Sequence, residues 1–108
     1  MAVTVLKVRE ALRQANLTPA TRRSWIHPSQ MSFGYTVHDT GSGGAVEVWC
    51  HMGGFDDEAY ERAKRLANRV RQHLTLNGYS TYTDPERNPH QVLVLKGPES
   101  STQTLDSK

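Results

Sequence analysis

The sequence predicts an α+β domain: a two-layer sandwich of order α-β-β-α-β-β, with two helices on one face of an antiparallel four-stranded sheet. Three observations predict it. A long apolar stripe of helical period fills residues 56–76, and a glycine-bearing turn joins two alternating segments within residues 32–51. A second pair of strand-like segments then flanks a proline-bounded turn, DPERNP. Amphipathic helices and a sheet with one apolar face bury that surface together when stacked in two layers.

The first element is TVLKVREALRQANL, in which Val5, Val8 and Leu12 recur at helical spacing with Ala11 and Ala15 beside them. Thr4 suits the N-cap, and Asn16 followed by Thr18-Pro19 ends the segment, so residues 4–15 are expected as helix. Next, SFGYTVHDT and AVEVWCH flank GSGG, whose glycines supply the positive φ angles of a tight hairpin. With Ser42-Gly43 as the turn, Val37 faces Val48, Tyr35 faces Cys50 and His38 faces Glu47. Phe33, Tyr35, Val37, Val46, Val48 and Cys50 then form a core face, and Thr36, His38, Glu47, Trp49 and His51 an outer one. A slip of one residue would exchange the two sets, which specifies the register.

The second helix opens on Asp56-Asp57-Glu58, acidic residues at the positive end of the helix dipole. Its stripe is Tyr60, Ala63, Leu66, Ala67, Val70 and Leu74. Glu58 with Arg62 and Glu61 with Arg65 are expected as i,i+4 pairs, and Asn77-Gly78 as the stop. YSTYT and HQVLVLK follow as strands. The second of these is apolar on both sides, Val92 and Val94 against Leu93 and Leu95, as a central strand is. The same element order arises when the first strand of a ferredoxin-like βαββαβ domain is moved to the end, an analogy of architecture only.

The chain has 108 residues, 36% hydrophobic and 22% charged, enough for one modest core without metal or disulfide staples. One domain is expected over residues 1–96, with GPESSTQTLDSK, residues 97–108, as a disordered tail. The single cysteine, Cys50, allows no intramolecular disulfide and suits a reducing, cytoplasmic setting. MAVTVLKVRE lacks the pattern of a secretory signal, and no apolar run approaches the roughly 20 residues that span a bilayer. A net charge of +2 permits nucleic-acid binding without arguing for it.

GYTV, a glycine-bearing hairpin ending in VEVW, a long helix, then NGY and VLVL resemble small proteins of actinobacteria and their phages, over roughly residues 5–96. The resemblance implies a phage or mobile-element source. It carries over no functional residue.

Motifs for chemistry are few. GSGG joins strands instead of opening a helix, and at Gly53-Gly54-Phe55 the carboxylates of Asp56, Asp57 and Glu58 would repel a phosphate. His27, His38, Cys50, His51, His73 and His90 show no zinc spacing, and neither a metal nor a cofactor is expected. His38 and His51 share the outer face but stand several residue pairs apart in the hairpin. Cys50 falls on the core face, where a thiol is inert, and no nucleophile elbow is present, so an enzyme is not expected.

Two features point outward. TRRSWIHPSQ combines Arg22, Arg23 and Trp25, residue types enriched at binding hot spots, though Trp25 and Ile26 can equally fold back over the domain. Trp49 stands on the outer face, where Leu93 or Val94 can join it, and an apolar patch there implies a partner, a second copy, or cover by the 16–31 segment. The reading is a small non-enzymatic binding protein that recognises a protein partner, or itself, through Arg22, Arg23, Trp25, His38, Glu47, Trp49 and His51. The alternative is nucleic-acid binding by Arg22, Arg23, Trp25, Arg69 and Arg71, the last two lacking an acidic partner four residues away.

Overall fold

The computed structural model describes residues 3–20, 32–40, 45–54 and 56–97. The expected turn at Ser42-Gly43, the stretch containing Arg22, Arg23 and Trp25, and the expected tail beyond Gly97 lie outside these residues. Gly97 itself is buried, so packing continues one residue past the expected domain boundary.

The chain forms helix α1 (Val5–Gln14), strands β1 (Gly34–Asp39) and β2 (Val46–His51), helix α2 (Asp57–Leu76), and strands β3 (Ser80–Tyr82) and β4 (Gln91–Lys96). Helix α1 begins on its expected cap, and α2 takes as its cap Asp56, the residue expected as its first. The Thr4 hydroxyl accepts from the Lys7 N–H at 3.2 Å, and the Asp56 carboxylate from the Ala59 N–H at 2.8 Å. Both helices also end in the same six-residue wrap. Past α1, Asn16 takes a left-handed φ of 60°, and the Asn16 and Leu17 N–H groups return to the Arg13 and Leu12 carbonyls. Past α2, Gly78 has φ of 89°, and the Gly78 and Tyr79 N–H groups return to Thr75 and Leu74. This is the Schellman pattern, which satisfies the orphan carbonyls and turns the following apolar residue inward. Leu17 is accordingly buried and Tyr79 packs against the core.

The four strands form one antiparallel sheet of order β1-β2-β4-β3. This is the order that a ferredoxin-like sheet acquires when its first strand is moved to the end. β4 is central, as its two apolar sides require. Tyr35 pairs with Cys50, Val37 with Val48 and His38 with Glu47, the register expected from the alternation. The core lies between the helices and one sheet face. Val8 and Leu12 of α1, Leu66, Val70 and Leu74 of α2, and Val46, Val48, Val92 and Val94 of the sheet form one cluster. The edge of β1 is partly covered by the connection after α1, since the Ala20 N–H donates to the Tyr35 carbonyl at 2.8 Å and the Tyr35 N–H to that of Thr18 at 3.0 Å.

Some expectations fail for local reasons. Tyr60 is not a core residue: it is exposed, and its ring meets the edge of His90 at 4.6 Å, on the first turn of α2. The expected pairs of Glu58 with Arg62 and Glu61 with Arg65 do not form. Arg62 instead lies over the Phe33 ring, 5.1 Å from its centre, which leaves Phe33 only partly buried at the edge of the core. Glu61 reaches Lys64 at 4.0 Å.

Candidate partner-binding face

The candidate site is the sheet face turned away from the helices, and the two-residue period of the strands builds it. β1 contributes Thr36 and His38, β2 contributes Glu47, Trp49 and His51, and β4 contributes Gln91, Leu93 and Leu95. β3 contributes Tyr82, which pairs with Leu93. Among the described residues nothing covers this face. Trp49 is 46% exposed, Tyr82 55% and Leu95 48%.

Trp49 is held, not loose. It pairs with Thr36 across the hairpin, so His38 is its diagonal neighbour and His51 its next neighbour on the same strand face. The imidazole centres lie 5.1 Å and 6.4 Å from the Trp49 ring. The indole N–H donates to the Glu47 carboxylate at 3.1 Å. Glu47 therefore serves Trp49, and His38 turns instead to Thr36, contrary to the cross-strand His38–Glu47 contact that simple pairing suggests.

The two histidines meet through one oxygen. His38 Nε2 is 2.6 Å and His51 Nε2 2.8 Å from the Thr36 hydroxyl, so their separation in the hairpin does not keep them apart. A hydroxyl has one proton to donate. It can donate to at most one imidazole and accept from one or both, so at least one Nε2 carries hydrogen when both bonds are intact. Burial, with His38 second, holds His51 below the ordinary imidazole range.

The remaining chemistry-bearing groups are dispersed. Cys50 faces the core, where burial pushes its thiol up to about 12. Burial also lowers His90. Among the described residues no three His, Cys, Asp or Glu side chains converge as metal ligands do, and no helix is long and apolar enough to cross a membrane. Two clefts of about 230 Å³ open at the rim of the face, sharing Arg87, Asn88 and Gln91, one beside Trp49 and His51 and the other beside Tyr82 and Glu47. Each is smaller than the roughly 300–1,000 Å³ of small-molecule sites, a size that suits a side chain of a larger partner.

Of the expected site residues, the fold brings His38, Glu47, Trp49 and His51 together. Arg22, Arg23 and Trp25 lie outside the described residues. Arg69 and Arg71 sit on α2, across the sheet from Trp49, and Arg71 donates to Asn68 at 3.1 Å. Val94 is in the core, whereas Leu93 joins the outer face. The sequence reading missed Tyr82, Leu95 and the bridging role of Thr36. Alternation alone marked Thr36 as outward, but the bridge needs the register of both strands.

Comparison with known proteins returns no match: no family model fits the chain, and no curated protein or solved structure is significantly similar to it.

Proposed function

We propose that this chain is a small, non-enzymatic binding protein that recognises a protein partner with the open face of its sheet. The observation that carries the proposal is the immobilised Trp49. An aromatic side chain fixed by Glu47 and flanked by two imidazoles loses little conformational freedom on binding, the property of an interface anchor. Tyr82 and Leu95 extend the apolar surface beside it. The partner is a protein segment that lays apolar side chains against this patch. Arg22, Arg23 and Trp25 enter the proposal as the residues that follow Ala20, which is bonded to the edge of β1.

Two considerations favour this partner over others. The exposed halves of Trp49, Tyr82 and Leu95 amount to roughly 300 Å² of apolar surface, the size of patch that marks an interaction site on a small protein. The expected phosphate contacts Arg69 and Arg71 belong to the helix layer, so they do not share a surface with Trp49. A lone free cysteine in the core suits a cytoplasmic protein, and a phage or mobile-element accessory role rests on the sequence resemblance alone.

The test is light scattering with size-exclusion chromatography, alone and with mixed DNA and RNA at low and high salt, followed by photo-crosslinking from position 82 in host extract. The proposal expects a monomer that ignores nucleic acid, and a crosslinked protein lost in Trp49→Ala and retained at high salt. A dimer abolished by Trp49→Ala would assign the face to a second copy. A salt-sensitive shift with nucleic acid, lost when Arg22 and Arg23 become alanine, would establish the alternative instead.

A further inference from the structure

On the other side of the sheet, Arg62, Arg65 and Arg69 line a cleft of about 230 Å³ together with Asn16, Thr18 and Phe33. We propose that this cleft is a binding site for a single phosphate group, held by the three guanidinium groups. The argument starts from spacing. Residues 62, 65 and 69 follow each other at three and four positions on α2, so one face of the helix presents three cations in a row. Such a row is usually neutralised by acidic neighbours, and here it is not. Glu61 engages Lys64, Glu58 engages none of the three, and among the described residues neither Arg65 nor Arg69 has a hydrogen-bond or ion-pair partner.

The wall opposite is equally free of carboxylates. It is the turn after α1, where Asn16 and Thr18 supply an amide and a hydroxyl as donors. The C-terminus of α1 places a partial negative charge of about one half near the cleft, against three full positive charges. The Ala11, Leu12 and Arg13 carbonyls are moreover taken up by the Ala15, Asn16 and Leu17 N–H groups, so these three do not compete for the arginines. Arg62 is preset: its guanidinium rests on the Phe33 ring, and its Nε is buried without a hydrogen-bond partner among the described residues. A buried donor left unmet is costly, and an oxyanion would satisfy it. Planar guanidinium groups match phosphate oxygens two at a time, which a row of lysines would not do. The volume admits one such group and not a nucleotide buried whole.

The experiment is a titration of ¹⁵N-labelled protein with inorganic phosphate at constant ionic strength, read at the arginine Nε–H signals, with a phosphate monoester such as phosphoserine as a second arm. The expected result is a saturable shift confined to Arg62, Arg65, Arg69 and the backbone of residues 16–18. Arg65→Gln and Arg69→Gln, at exposed positions and checked for an intact fold by circular dichroism, should each weaken binding by about tenfold or more. Tighter binding of the monoester identifies an esterified phosphate as the source, and equal binding identifies the free ion. Shifts that fail to saturate, that spread to Arg9 and Arg87, or that persist in both variants would overturn the proposal.

Discussion

Gly34→Ala should unfold much of this domain's margin of stability, because the new methyl group has nowhere to go. A Cβ at this position would lie 2.5 Å from the Ala20 nitrogen and the Pro19 carbonyl carbon, and 2.7 Å from the Pro19 oxygen. All three are backbone atoms, and the Ala20–Tyr35 and Tyr35–Thr18 hydrogen bonds hold them in place. Gly34 also has φ of 142°, which L side chains rarely adopt. The backbone conformation costs about 1–3 kcal/mol with a side chain present. Relieving the overlap costs about the same again, whether by strain or by loss of the two hydrogen bonds. The expected loss is about 2–6 kcal/mol, against a total of about 5–15 for a domain of this kind, and a fall in Tm of at least about 8 °C. Urea denaturation followed by circular dichroism measures it. Gly54→Ala is the control, since its Cβ would meet only the Ala59 methyl at 3.4 Å and its φ is not in the positive range. If Gly34→Ala unfolds within about 0.5 kcal/mol of the parent, the close approach of residues 18–20 to β1 is not as described.

Three further outcomes can be checked. His51 and His90 bind protons less readily folded than unfolded, so the native state holds fewer protons just below pH 6.5; stability is complete above that value and declines as the pH falls. Denaturation midpoints should therefore drop between about pH 7 and 5, and a flat profile would contradict the burial of both rings. Long-range ¹H–¹⁵N spectra above the histidine titration range should show an Nε2–H tautomer for at least one of His38 and His51, since Thr36 has one proton to give; Nδ1–H tautomers at both would remove the bridge. Cys50, its thiol pushed up to about 12, should react with a disulfide reagent at pH 8 at least about a thousandfold more slowly than in urea, and rapid labelling of folded protein would deny its burial.

Much of the fold was legible because its signals are local. Alternation fixed the hairpin register, since exchanging Tyr35, Val37 and Val48 for Trp49 and His38 would bury the wrong set. The helix ends carried their own chemistry in Thr4, Asp56, Asn16 and Gly78. The order of strands was not legible, because the pairing of β2 with β4 joins segments separated by the whole of α2. The site was half legible for the same reason. Alternation delivers His38, Glu47, Trp49 and His51 to one face, but Tyr82 reaches it only through the irregularity between Ser80 and Thr81 in the β3–β4 pairing. Charge pairing misled at Arg62, where a salt bridge on an exposed helix contributes only a few tenths of a kcal/mol and an aromatic ring within reach competes with it.

The knot of hydrogen bonds between residues 18–20 and Tyr35 has an evolutionary side. Thr18 and Ala20 are bonded to Tyr35, so the end of the α1 turn and the start of β1 are clasped together. Closing a connection between ends already held together depends weakly on its length, each doubling adding about 0.6 kcal/mol. The clasp therefore separates inheritance of the scaffold from inheritance of what it carries. A change of sequence or length in the connection from α1 to β1 adds little to the cost of closing the clasp itself, and Gly34 is the residue that keeps it shut.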